Sequence, residues 1–238
     1  MRPGAFIMII IVLCFIVSWI IFEYFLPQFV KDGGPVVIGL MVLTMLDITF
    51  IIERSLTLKK ARGKRSQVEF LKDAMGAIRN NDVTRAVNLC NSQQGTMANV
   101  LRAGLERFQT IADENLTSDR QVQEIKRAFE EANALETPLL ERNLIALQTI
   151  ATIATLVGLL GTTIGMIRAF AAMANEGAPD AIQLALGISE ALINTAGGLA
   201  AAIMGIVAYN YFVNKVDMFT YAVDEVAQEV LAILTGRA

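Results

Sequence analysis

The segment ATIATLVGLLGTTIGMIRAFAAM, residues 151–173, constrains the chain more than any other. It is long and apolar enough for a membrane helix, which takes about 20 predominantly apolar residues. Yet small residues recur where leucine would be expected. Ala151, Thr155, Gly158, Thr162, Gly165, Ala169 and Ala172 alternate in steps of four and three, which places them on one helix face. The segment AIQLALGISEALINTAGGLAAAIMGIVAYNYF, residues 181–212, repeats the pattern with Gly187, Ala191, Asn194, Gly198, Ala201, Gly205 and Ala208. In lipid, burying a leucine drives no association, and small residues let helix backbones approach instead. The pattern therefore predicts tight packing between these two helices or between subunits. Gly158, Gly161, Gly165, Gly187, Gly197 and Gly198 are the expected packing positions.

The polar residues in the same segments need a separate account. A threonine in a membrane helix costs little, because its hydroxyl can bond back to its own backbone. Glu190, followed one turn later by Asn194 and Thr195, is expensive, about 2.5–3.5 kcal/mol for a charge at the bilayer centre on insertion scales. Such groups normally face a bundle interior or a wet cavity. Thr162, Thr163, Thr195, Glu190 and Asn194 thus suggest a polar or hydrated interior and are candidates for an ion or proton path, with interhelical packing as the competing reading. Thr162 and Thr195 are expected at similar depth. Glu190 lies five residues from Thr195, about 140° around a helix of ~3.6 residues per turn, and is expected off their line, nearer a subunit seam. Asp47, inside another apolar run, is expected at a helix interface within reach of Thr44, or else as a second titratable site. Arg168 is expected to snorkel to the outer interface or to pair with a partner carboxylate. Tyr209 and Tyr211 suit an interfacial belt.

Two further apolar runs precede these. Residues 5–22, AFIMIIIVLCFIVSWIIF, begin like a signal peptide, but EYFLPQF follows in place of a small-residue cleavage site, so a retained membrane helix is expected. Residues 35–58 form the next, with Pro35 in its first turn and KDGG before it as a turn. Lys59, Lys60, Arg62, Lys64 and Arg65 follow at once and mark that end as cytoplasmic. Residues 66–144 are polar with helical periodicity. Asp82 caps one predicted helix, Thr117 or Ser118 another, and Pro138 is expected to kink rather than end the latter. ANEGAPDA, residues 174–181, is a short outer turn, and an amphipathic tail follows Lys215. Both termini then lie in the cytoplasm. The expected fold is all-α and polytopic. An extra N-terminal membrane helix and outer loop (1–34) precede a first core membrane helix (35–58). A cytoplasmic helical region (59–144), two long pore-lining helices (145–214) and a C-terminal amphipathic helix (215–238) follow.

Composition narrows the function. Charged residues make up 18% of the chain against 54% hydrophobic, and the net charge is −3, which argues against nucleic-acid binding. There is no histidine, which removes the commonest transition-metal ligand. Cys14 and Cys90 lie in unlike contexts, so neither a disulfide nor a metal pair is expected. No nucleophile–base pair, phosphate loop or metal cluster points to an enzyme, and no cofactor is expected.

TIATLVGLLGTTIGMIRAF followed by GISEALINTAGGLAAAIMGIVAYN resembles the ExbB/TolQ branch of the MotA/TolQ/ExbB proton-channel family, and IIER at residues 51–54 fits its first core helix. The resemblance runs from about Pro35 to the carboxyl terminus. It implies an inner-membrane stator subunit, a pentamer around ExbD-like single-span helices, in which proton flow energises a TonB-like protein and outer-membrane uptake. It aligns the family's pore threonines with Thr162 and Thr195 and its intramembrane glutamate with Glu190. Asn194 stands where many relatives carry a small residue. Thr155 and Met204 stand where the best-known members carry prolines, so straighter helices are expected here. The extra N-terminal helix is expected outside the ring, beside the second span. A TolQ-like or MotA-like stator and a non-conducting scaffold are the alternatives. The modest insertion favours the ExbB-like reading over a motility motor, and a scaffold has no need of Glu190 with paired threonines.

Overall fold

The computed structural model describes residues 3–111, 117–174 and 180–236, with side chains from residue 12 onward. Among these residues all regular structure is helical: α1 (Pro3–Tyr24), α2 (Gln28–Lys31), α3 (Val36–Ala61), α4 (Gln67–Arg79), α5 (Val83–Gln93), α6 (Thr96–Ile111), α7 (Ser118–Glu141), α8 (Leu144–Met173) and α9 (Ala181–Leu234). Three helical stretches, carried by α3, α8 and α9, are long and apolar enough to cross a membrane. At ~1.5 Å per residue the 22-residue α1 also reaches about 33 Å. The protein has an all-α polytopic membrane fold. Most of the turn at residues 174–181 lies outside the described residues, as do Met1 and Arg2.

The chain divides into two compact units, one of residues 1–52 and 143–211, the other of residues 53–142 and 212–238. In the first, α1 meets α3: Ser18 is fully buried and its hydroxyl donates to Met45 Sδ at 3.4 Å, with Cys14 buried one turn earlier. The remaining described face of α1, including Leu13, Ile16 and Trp19, is exposed and apolar, as a lipid-facing surface requires. α8 and α9 show the same division, with small residues inside and Leu156, Leu159, Ile167, Leu192, Leu199 and Ile203 outside.

The second unit has a conventional apolar core. Phe70, Ala74 and Ile78 of α4, Ala86 and Cys90 of α5, Leu101 and Leu105 of α6, Ile125 and Phe129 of α7, and Val223 and Val230 of α9 converge in it. α6 and α7 approach closely because Gly104 leaves room for the Phe129 ring, whose atoms lie 2.3 Å from where a Cβ would stand. Burial pushes the Cys90 thiol up to about 12, so it is a packing group and no nucleophile. Both cysteines are free.

Asp82 caps α5 as expected, its Oδ1 accepting from Arg85 N at 3.0 Å. Thr117 occupies the cap position of α7 without a side-chain bond. Pro138 lies inside α7, but the chain breaks further on, at Asn143, which adopts φ 63° before α8 begins. Asparagine tolerates that left-handed conformation better than most residues. The tail after Lys215 is no separate helix: α9 runs unbroken for 54 residues, since nothing between Phe212 and Leu234 interrupts a helix. Gly76, in the middle of α4, has nothing within 4 Å of its would-be Cβ. Gly76→Ala should therefore stabilise this unit by about 0.5–1 kcal/mol, seen as a higher denaturation midpoint.

Candidate functional site at the paired membrane helices

α8 and α9 touch backbone to backbone. A Cβ on Gly165 would lie 2.7 Å from both Ala191 N and Gly187 O, and one on Gly187 would lie 2.7 Å from Ala169 N. Further along, a Cβ on Gly158 would meet Gly198 Cα at 3.0 Å, and one on Gly198 would meet Ala154 O at 2.7 Å. The contact thus runs antiparallel through four glycines on α8 and α9, Gly158, Gly165, Gly187 and Gly198, that no larger side chain could replace. The buried line of α8 passes through Ala151, Ala154, Gly158, Gly161, Gly165, Ala169 and Ala172. This corrects the sequence stripe at two points. Thr155 is exposed and Thr162 half-buried, because a straight helix turns Ala154 and Gly161 into the seam. On α9, Ala208 is only half-buried. Gly197 packs against α3, 3.2 Å from Leu40 Cδ1 for its would-be Cβ, and not against α8.

At the edge of this seam Thr162 and Thr195 meet, hydroxyl to hydroxyl. Each hydroxyl also reaches a carbonyl of its own helix, Thr162 that of Gly158 at 3.2 Å and Thr195 that of Ala191 at 3.1 Å. A hydroxyl has one proton and two lone pairs. Three hydrogen bonds therefore compete for two protons, and one threonine must donate across the pair. Either can do so. The pair has two proton arrangements of similar kind, with lone pairs left over for a donor such as water or a protonated carboxyl. Both residues are half-buried, so one side of the pair stays open. Thr163, by contrast, is exposed and donates to Leu160 O of its own helix at 2.7 Å.

Glu190 and Asn194 are taken up elsewhere. Arg168 Nη1 donates to both Glu190 carboxylate oxygens, at 2.6 and 2.7 Å. The Glu190 side chain is 7% exposed, that of Arg168 55%. Arg168 thus does not snorkel free of its own chain; the counter-charge on α9 holds it. Gly34 backs the carboxylate: its φ of 72° suits glycine, and a Cβ there would stand 2.8 Å from Glu190 Oε1. Asn194 is fully buried, and its Nδ2 donates to Gly33 O at 2.9 Å. One turn apart on α9, Glu190 and Asn194 therefore fasten the Gly33–Gly34 turn that leads into α3. Asn194 also fills the space opposite Gly161, where a Cβ would meet Asn194 Cβ at 2.4 Å. The structure brings the two threonines together and leaves Glu190 and Asn194 on the side of that turn.

Asp47 is completely buried, with neither carboxyl oxygen bonded among the described residues. Thr44 does not serve it, because its hydroxyl donates to Leu40 O at 2.9 Å. Gly205 makes room for the carboxyl, 3.1 Å from the would-be Cβ. Tyr209 is half-buried and Tyr211 exposed.

A family model described as the MotA/TolQ/ExbB proton channel family matches residues 92–225, more than half of the chain, with all of α8 and α9 as far as residue 225. The chain belongs to this family. It is 30% identical over 182 residues to the biopolymer transport protein ExbB-like 3 of Synechocystis sp., covering 76% of this chain and 81% of that one. It is 28% identical over 200 residues to the biopolymer transport protein ExbB of Salmonella typhimurium, covering 83% and 80%. It is 34% identical over 136 residues to the Tol-Pal system protein TolQ of Pseudomonas aeruginosa, covering 57% and 59%. The seam, the threonine pair and Glu190 all lie inside the matched region.

The sequence alone did not find the Arg168–Glu190 pair. The signal was present. Once Gly165 is set against Ala191 and Gly158 against Gly198, seven residues apart on each helix, the antiparallel register carries Arg168 to within two residues of Glu190.

Proposed function

We propose that this chain is the channel-forming subunit of a proton-driven stator in a bacterial inner membrane. It assembles as a ring, a pentamer by its resemblance to ExbB, around an ExbD-like single-span partner. The work is passed to a TonB-like protein that energises outer-membrane transport. The basic run at residues 59–65 supports a cytoplasmic location for that end of α3 and, with it, for both termini.

The observation that carries this reading is the Thr162–Thr195 hydroxyl pair on a helix seam of a proton-channel family member. A protonated carboxyl on the partner can donate to a free lone pair of either threonine. The hydroxyls can then exchange which of them donates across the pair, so a bound proton or water meets an acceptor in either arrangement. Neither hydroxyl takes a net charge. The partner carboxyl changes protonation and the threonines solvate it. Glu190, neutralised by Arg168, holds its charge away from this path and fixes the outer end of α3. The similarity to TolQ favours a second reading of the load, envelope maintenance, through the same conducting chemistry.

Thr162→Val and Thr195→Val keep the side-chain shape and remove the hydroxyl. Each should leave oligomer size unchanged while proton-driven work with the single-span partner falls on the order of tenfold or more, the scale of one lost hydrogen bond to a reacting group. Thr163→Val should leave both unchanged. Full activity in the first two variants would make these hydroxyls packing groups and end the assignment.

A further inference from the structure

The basic run after the apolar part of α3 does more than mark an orientation. Its turn is held rigid. Gln93, 2% exposed, donates from Nε2 to Arg62 O at 3.2 Å and Arg65 O at 3.0 Å, and its Oε1 accepts from Arg65 N at 3.1 Å. Lys64 N adds a bond to Gln93 O at 2.9 Å. Gly63 (φ 88°) and Gly95 (φ 92°) meet so closely that a Cβ on Gly95 would stand 2.7 Å from Gly63 N. A surface turn whose only task is to carry positive charge does not need a buried glutamine and two left-handed glycines to fix its path.

What the fixed turn frames is a hollow of about 580 Å³ with Lys60 and Lys64 on its lining. Both lysines are exposed, and neither forms an ion pair among the described residues. The acidic residue that lines the same hollow, Glu136, is already engaged: one carboxyl oxygen accepts from Thr96 Oγ1 and the other from Asn99 Nδ2, each at 2.8 Å. Leu139, 56% exposed, forms an apolar part of the wall. Leu56, 62% exposed, lies one turn before Lys60 on the same face of α3.

We propose that this hollow binds the phosphate headgroup of an anionic phospholipid from the leaflet in which the apolar part of α3 ends. Two ammonium groups, one on the last turn of α3 and one on the fixed turn after it, suit a phosphate. The exposed leucines beside them suit the glycerol and upper acyl chain, which a free phosphate does not have. The charges sit where a juxtamembrane basic segment meets anionic lipid, but here in a built pocket rather than on a flexible tail. Such a lipid would fasten the last turn of α3 to the leaflet surface. The inference does not depend on proton conduction.

The full-length protein in detergent, mixed with dioleoylphosphatidylglycerol or dioleoylphosphatidylcholine, would be examined by native mass spectrometry. Phosphatidylglycerol should be retained in preference. Lys60→Gln with Lys64→Gln should weaken that retention roughly 10- to 30-fold, as two lost basic contacts to anionic lipid imply. Lys59→Gln with Arg62→Gln removes the same charge from the same run outside the hollow, and should retain the lipid. Equal loss in both double variants, loss in neither, or equal retention of phosphatidylcholine would overturn the proposal. Displacement of the lipid by millimolar inorganic phosphate would overturn it in favour of a free-phosphate site. Unchanged oligomer size and helical circular dichroism in both double variants would show that the comparison is between folded proteins.

Discussion

Gly165→Leu should leave almost no folded protein in the membrane. The first atom of the new side chain would already stand 2.7 Å from Ala191 N and from Gly187 O, and both are backbone atoms with no rotamer to yield. The helices would have to part along the whole seam, because Gly158, Gly187 and Gly198 depend on the same close approach. Even Gly165→Ala should cost about 1–3 kcal/mol, the usual scale of overpacking. Helix propensity pulls the other way by up to about 1 kcal/mol and does not rescue it. Gly39→Ala supplies the control, since nothing lies within 4 Å of its would-be Cβ. It should accumulate like the parent. Size-exclusion of a fluorescent fusion reads both amount and oligomer state. Parent-like yield and thermal midpoint for Gly165→Leu would mean that the α8–α9 backbone contact is not what holds this pair.

The seam was legible in the sequence because lipid leaves few ways to hold helices together. A stripe of glycine and alanine in a membrane segment has essentially one physical use, and the helices α8 and α9 that follow from it are those observed. The phase was less legible. A steady alternation of four and three residues puts Thr155 on the stripe, while a straight helix of 3.6 residues per turn puts Ala154 there and leaves Thr155 exposed. The stopping points were the weakest part. Pro138 is the conspicuous residue, yet the break falls at Asn143, where a left-handed conformation ends α7, and no local signal separates that asparagine from others in the chain. α9 is the opposite case: composition changes from apolar to amphipathic after Lys215, but composition does not interrupt backbone hydrogen bonds and the helix runs on. Polar residues were found as polar residues but not as partners. Glu190 and Asn194 were recognisable as costly groups in lipid, but that one meets Arg168 and the other Gly33 is a matter of register, which one segment alone does not carry.

That register sets up the second large effect. Removing Arg168 strands a carboxylate that is 7% exposed and that pairs with no other cation among the described residues. Arg168→Met should therefore destabilise the protein more than the loss of one favourable contact would suggest, on the order of 3 kcal/mol, the scale for breaking a buried pair by removing one member. Adding Glu190→Gln removes the stranded charge while keeping the shape that backs Gly34. The double variant should recover at least about half of the loss, because the penalty belongs to the unpaired charge and not to the missing contact. Glu190→Gln alone leaves Arg168, 55% exposed, free to turn outward, and should cost less than Arg168→Met. The ranking is the test: Arg168→Met worst, the double variant and Glu190→Gln close together and nearer the parent. Thermal midpoints of the purified protein give it directly. If Arg168→Met and the double variant melt together, Glu190 is not held by Arg168 in the assembled protein, and its charge is free to act on the threonine pair that the present geometry keeps it from.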